Sequence, residues 1–281
     1  MIDLIHVSPG AAVAPVVSWL NINHHSFFAS VSDVFGALIS AVVYLLSFAP
    51  PLVTIGALSV LVLCVAGWRG ALLCAGGLAL CLLIGMWDAT LQTIVVILLS
   101  VIFSVLVGVP LGVLMSRSER LKIIARPILD MMQTMPPWVY LVPAVILFGL
   151  GVVPALLSTI VYGIPPMIRL TILAMSQIPE NRIELGTSIG ATKKTIFWKI
   201  QLPSAMPTLL VGINQCVLFS LAMVVLAGLV GAGGLGAEVT RGLSRMEFGL
   251  GMRASLAIVI LALVLDRVFR SSIPKRFLAL S

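Results

Sequence analysis

The sequence predicts an all-α integral membrane protein, and three observations carry that prediction. Of the 281 residues, 60% are apolar and only 10% are charged, where soluble domains carry about a quarter charged residues. The mean hydropathy is +1.18. The apolar residues fall in continuous runs and not in the alternating pattern of a membrane barrel, so the runs are helices. The length suits one bundle of about seven spans (six to eight) and leaves little chain for a water-facing domain.

Taken in order, residues 1–26 are expected to be an irregular tail, with Pro9, Pro15 and the polar patch from Asn21 to His25. His24 and His25 have no third ligand nearby and read as loop residues, not as a metal site. A cleavable signal peptide is not evident, because residues 1–20 lack a basic start and Asp3 stands where a cation belongs. Residues 27–49 carry an apolar stripe of Phe27/Phe28, Val31, Val34/Phe35, Leu38/Ile39, Val42 and Leu45/Leu46 opposite a polar face. The run 34–49 extends about 24 Å, short of the ~30 Å hydrocarbon core. That favours an amphipathic helix lying in the interface plane over a short span. Pro50-Pro51 end it.

The membrane domain is then 52–267. Spans are expected at 52–67 and 70–86, closed by Trp68-Arg69 and Trp87-Asp88, and at 90–115. A fourth, 127–150, is broken by Pro136, Pro137 and Pro143; a fifth is 152–175. After a polar island at 179–203, a sixth span covers 205–230, a short irregular segment runs to about Phe248, and a last span covers 249–267. The tail is 268–281.

Charge orients the bundle. The loop SRSERLKIIARP sets Arg117, Arg120, Lys122 and Arg126 against Glu119 alone and is therefore cytoplasmic. Counting spans from it puts Arg69, the island and the C-terminal cations on the same side. The net charge of +7 thus reads as positive-inside bias and not as a nucleic-acid surface. Arg241, Arg245 and Arg253 are discordant, falling near the outer side; a re-entrant segment or a protein-docking surface would account for them.

Catalytic chemistry is absent from the pattern. There is no G-x-x-x-x-G-K-[ST] phosphate loop, no Ser/His/Asp set and no Cys pair at metal spacing among Cys64, Cys74, Cys81 and Cys216. Gly231-x-Gly233-x-x-Gly236 matches a dinucleotide fingerprint in letters only. It follows an apolar helix and has no acid near position 256, so its glycines read as a tight backbone turn at the membrane edge. No cofactor is expected.

Two stretches carry function. The first is the broken fourth span, where Gln133, Thr134, Met135, Trp138 and Tyr140 surround the prolines. Proline frees backbone carbonyls, which is tolerated where neighbours or a cavity satisfy them. The plain reading is a packed kink; the functional one is the lining of a translocation path. Methionine and aromatic groups without a fixed acid suit a bulky, weakly hydrated cation.

The second is the island, PENRIELGTSIGATKKTIFWKIQLP. Glu180 and Glu184 share one helical face behind Pro179, Gly190 breaks the helix, and Thr192 can cap a second one. Glu184-Leu-Gly-x-x-x-Gly190, nine residues, then Ile200-x-Leu202-Pro203 resembles the EAA loop of ABC importer permeases, with Leu185-Gly186 in place of two alanines. MQTMPPWVYLVPAVILFGLG (132–151), IPPMIRLT (164–171) and MVVLAGLVGAGGLGAEVTRGL (223–243) look like the quaternary-amine branch. The match covers about 27–267.

The resemblance implies the transmembrane domain of a type I ABC importer for choline, glycine betaine or proline betaine in a bacterial inner membrane. It also implies a homodimer of this chain, a substrate-binding protein outside, and a separate ATPase inside. Glu180, Glu184, Gly190, Ala191, Ile200, Leu202 and Pro203 would form the coupling element that docks on the ATPase. The nearest alternative is an ABC permease for an amino acid or sulfonate. A stand-alone ion-coupled transporter would need an ionisable site at mid-membrane, whereas Asp130 and Arg169 lie near span ends.

Overall fold

The computed structural model describes Pro15 and residues 18–271, the side chain of Ser271 excepted, and over that range the chain is helices joined by short connections. In order they are α1 (His25–Ser47), α2 (Pro51–Leu83), α3 (Trp87–Ser116), α4 (Glu119–Thr134), α5 (Trp138–Phe148), α6 (Val152–Ser176) and α7 (Glu180–Ser188). Next come α8 (Lys193–Ile196), a π-helical turn (Phe197–Gln201), α9 (Leu202–Ala227), a 3-10 turn (Gly228–Val230), α10 (Gly234–Ser244) and α11 (Phe248–Ser271). Among the described residues six helices are long and apolar enough to cross a membrane, seven if the bent pair α4–α5 is one span.

The centre is α3, α6 and α9. Half or more of the most apolar stretches of α3 and α6 is buried, 50% and 56%, against 6% for α1. Small residues bring α3 and α6 together. Ser104 Oγ donates to the Ile160 carbonyl at 3.0 Å and packs on Gly163. One turn on, a Cβ at Gly108 would stand 2.8 Å from Met167 Cβ, and another turn on, one at Gly112 would stand 2.5 Å from Thr171 Cβ. Residues four apart on one face, all small, let two backbones approach where lipid offers no competing hydrophobic drive. Helix α9 joins through Cys216 Sγ, which donates to the Gly163 carbonyl, and through Ser220, whose hydroxyl meets Ser100 at 3.1 Å. Helix α11 closes on the second half of α2, where Val264 and Ile260 crowd Gly77.

Several expected boundaries move. The tail expected to be irregular over 1–26 is helical at 18–23, and α1 already starts at His25; residues 1–14, 16 and 17 lie outside the described range. Because α1 continues through Asp33, it is about 34 Å long, enough to cross, and it seats Phe28 on Phe148, Phe35 on Phe103 and buried Ile39 on the core. The expected spans 52–67 and 70–86 are two helical halves of α2 that meet at a kink on Gly67, whose φ of 76° and ψ of −178° leave the helical region without inserting a loop. The expected loop 116–126 is helical from Glu119, because the Ser118 hydroxyl accepts from the Leu121 amide and Lys122 pairs with Glu119 at 2.6 Å. The fourth span therefore begins earlier than 127 and turns by 88° between α4 and α5. At the other terminus α11 carries on to Ser271, into the expected tail; residues 272–281 lie outside the described range.

The segment expected to be irregular up to Phe248 contains α10. Its first amides are satisfied from another helix: Gly234 N–H donates to Gln92 Oε1 at 2.8 Å and Leu235 N–H to Thr93 Oγ1 at 2.9 Å. Helix ends need partners for their free amides, and here α3 supplies them. The Gly151 amide donates to the Val230 carbonyl at this same end of the bundle. At the opposite end, the Arg117 guanidinium lies 5.6 Å from the centre of the Phe197 ring. The two basic segments assigned to one side by charge are thus in contact.

Candidate functional site

The island folds as helix, glycine, helix. Pro179 stands as the N-cap of α7 in an extended conformation, and Glu180 opens the first turn. A carboxylate there complements the positive end of the helix. Gly190 then adopts φ +75°, the Gly190 amide donates to the Thr187 carbonyl, and the Ala191 amide reaches the Gly186 carbonyl. That is a Schellman stop, which favours glycine at this position because a Cβ is strained in the left-handed region. Thr192 restarts the chain, its hydroxyl accepting from the Thr195 amide. After α8 the π turn runs without a loop into α9, with Leu202 and Pro203 in its first turn.

Packing fixes the two arms of the island on one another. Gly186 is buried, and a Cβ on it would come within 2.8 Å of Ile200 Cδ1 and 3.1 Å of Ile196 Cγ1. A small residue is needed here, and glycine at this place lets α7 lie against Ile196 and Ile200. Arg182 ties α7 to the start of α9 through Ser204 at 3.3 Å. Behind them is an open cleft of about 670 Å³, whose lining includes Arg182, Lys199, Ile200 and Pro203. Glu180 and Glu184 are exposed. Three large apolar side chains of the island are exposed as well: Leu185 at 64%, Ile189 at 76% and Trp198 at 58%. Leu185 and Ile189 are one turn apart on α7 and its C-cap, so this otherwise polar segment carries apolar groups on its surface. Sequence reasoning missed these three; the signal available was Leu185 and Ile189 one turn apart inside an otherwise polar stretch.

The second stretch lies at the α4–α5 bend. Gln133 and Thr134 end α4, Met135 is its C-cap, and Trp138 and Tyr140 belong to the first turn of α5. Pro136 has no N–H, so the Met132 carbonyl one turn back loses its helical partner. Tyr140 Oη donates to that carbonyl. The Thr134 hydroxyl bonds back to Met131 at 3.0 Å. Tyr140 then meets Tyr162 of α6, ring centres 5.6 Å apart, and Tyr162 meets Phe219 of α9 at 5.0 Å. Trp138, two positions from Tyr140 and so on another face of α5, is exposed and stands outside this row. Tyr162 and Phe219 had no local signal in the sequence, since only the packing of α6 and α9 brings them to Tyr140. Asp130 pairs with Arg169 across α4 and α6, and both side chains are well exposed. Among the described residues no group of His, Cys, Asp or Glu could hold a metal ion.

Comparison with known proteins settles what kind of protein has this arrangement. Residues 104–273 match the family of the binding-protein-dependent transport system inner membrane component. The chain belongs to this family. It is therefore a membrane subunit of an ABC importer and not an enzyme, and membership implies a separate ATPase and a substrate-binding partner. The chain is 40% identical over 256 residues to the glycine betaine permease OpuAB of Bacillus subtilis, covering 90% of this chain and 89% of that one. It is 34% identical to the glycine betaine/carnitine permease GbuB of Listeria monocytogenes over 92% of this chain and 96% of that one. To the glycine betaine/proline betaine permease ProW of Escherichia coli it is 46% identical over 66% of this chain, spanning about half (52%) of that longer protein. A chain of the inward-facing MetNI methionine ABC transporter shares the fold, with a TM-score of 0.56 at 24% identity over 64% of this chain and 92% of that one. The all-α, type I importer architecture and the EAA-type island are those of the family.

Proposed function

We propose that this permease moves quaternary amines, namely glycine betaine, proline betaine or choline. The observation that carries the substrate class is the 40% identity to a glycine betaine permease along nearly the whole of both chains. In this reading the working unit is a homodimer of this chain, loaded by the binding protein from outside. The island docks on the ATPase: Leu185, Ile189 and Trp198 supply apolar contact, Glu180 and Glu184 supply charge, and Gly190, Ala191, Ile200, Leu202 and Pro203 hold the shape. Gln133, Thr134, Met135, Trp138 and Tyr140 line the path at the α4–α5 bend, where proline frees the Met132 carbonyl that Tyr140 then satisfies.

The test is uptake by the complete importer, this chain with its ATPase and binding protein, in proteoliposomes holding ATP. Labelled glycine betaine, proline betaine and choline are offered in turn. At least one accumulates, and omitting either partner abolishes it. Uptake by this chain alone under an ion gradient, or accumulation only of unrelated solutes, overturns the reading.

A further inference from the structure

The aromatic row Tyr140–Tyr162–Phe219 is a feature that the coupling scheme does not use. Its three rings come from three helices, α5, α6 and α9, with centres 5.6 and 5.0 Å apart and tilts of 55° and 50°. All three residues are only half-buried, so the row is not sealed into the core. It begins where α4 breaks, and the hydrogen bond from Tyr140 Oη to the Met132 carbonyl fixes the first ring against that break. The acid on the preceding turn of α4, Asp130, is neutralised by Arg169.

We propose that Tyr140, Tyr162 and Phe219 form the face along which the quaternary ammonium group passes through the membrane, held by the ring quadrupoles and by no fixed charge. This rests on the substrate class proposed above. Ring faces attract a bulky cation that cannot accept or donate hydrogen bonds. A carboxylate would attract it too, but would hold it strongly, and conduction requires sites weak enough to leave. A carboxylate would also repel the acid end of a betaine. Rings exclude neither form, which suits a path that must carry zwitterionic and cationic amines alike. Rings from three helices give successive weak stations, and any relative motion of α5, α6 and α9 re-spaces them.

The experiment replaces Phe219 by phenylalanines bearing one, two and three ring fluorines in the complete reconstituted importer. Fluorination keeps the shape and drains the negative ring face. Uptake of glycine betaine at saturating binding protein is expected to fall stepwise, about five- to thirty-fold in all, while ATPase co-purification stays unchanged. Tyr162→Phe, which keeps the ring, retains transport, and Tyr162→Leu loses it to a similar degree. If uptake is flat across the fluorine series, the row is packing only and the inference is overturned, whatever the leucine variant does. If the unmodified importer takes up no quaternary amine, the substrate reading has failed first and takes this inference with it.

Discussion

The island at one end of the bundle and the glycine-rich segment at the other begin alike and are completed differently. Each contains the same helix stop. Gly190 bonds back to Thr187 and Ala191 to Gly186; Gly231 bonds back to Gly228 and Ala232 to Ala227. Both stop glycines have left-handed φ, +75° and +79°. The restart of the next helix separates them. The island restarts with its own Thr192 as cap, whereas α10 takes its caps from Gln92 and Thr93, 142 residues away in sequence. The island is therefore a locally specified unit that displays Leu185, Ile189 and Trp198 outward. The other segment is specified by the bundle and is clamped to it, with Gly228 so close to Gly236 that any side chain there would overlap its carbonyl group. One end is built to present a surface; the other is built into the frame.

That contrast can be broken at the caps. Gln92→Leu strips the partner from the Gly234 amide, and leaving such a group unsatisfied costs about 1–3 kcal/mol. Thr192→Ala at the exposed island cap costs about 1 kcal/mol. Hydrogen exchange should show faster exchange at 234–240 in the first variant and only at 193–196 in the second. Equal spreading of both effects through the bundle would remove the distinction between a local and a borrowed cap.

The stop glycine gives the next largest effect. Nothing lies within 4 Å of a Cβ built on Gly190, so the cost of a side chain there is conformational and not steric, about 1–2 kcal/mol. Gly190→Val is expected to shift the angle between α7 and α8 and lower ATPase co-purification several-fold, while Gly190→Asn, which tolerates left-handed φ, keeps most of it. Equal binding by both variants would detach the stop from coupling.

A smaller effect sits at the end of α10, where the same stop carries the wrong residue. Glu247 bonds back to Gly242 and Met246 to Leu243, yet Met246 holds φ at 57° and is 90% exposed. Met246→Gly should stabilise the detergent-solubilised protein by about 1 kcal/mol, read as a rise in thermal midpoint. A fall would mean that the exposed methionine makes a contact worth more than its strain.

These differences mark what could be read from the chain. The long helices near 90–115, 152–175, 205–230 and 249–267, the proline break at 136–137, the glycine stop at 190 and the Thr192 cap all depend on hydrogen bonds within about five residues, or on a periodicity that repeats along one element. Such interactions are written in neighbouring letters. The break between 52–67 and 70–86 was legible in the same way, since the kink at Gly67 falls directly beside Trp68-Arg69. The helix over 234–244 escaped because its caps lie on α3, outside any local window.

By itself, then, the sequence determined the helical membrane class, the side on which the basic segments lie together, and the island as a helix–glycine–helix. Composition, period and local hydrogen bonding suffice for each. Only the tertiary structure decided that Ser104, Gly108 and Gly112 bring α6 onto α3, that Gln92 caps α10, and that Tyr162 and Phe219 line up with Tyr140. Those pairings are contacts between helices far apart in the chain. They exist only once side-chain volumes have set how closely, and at what register, the helices pack.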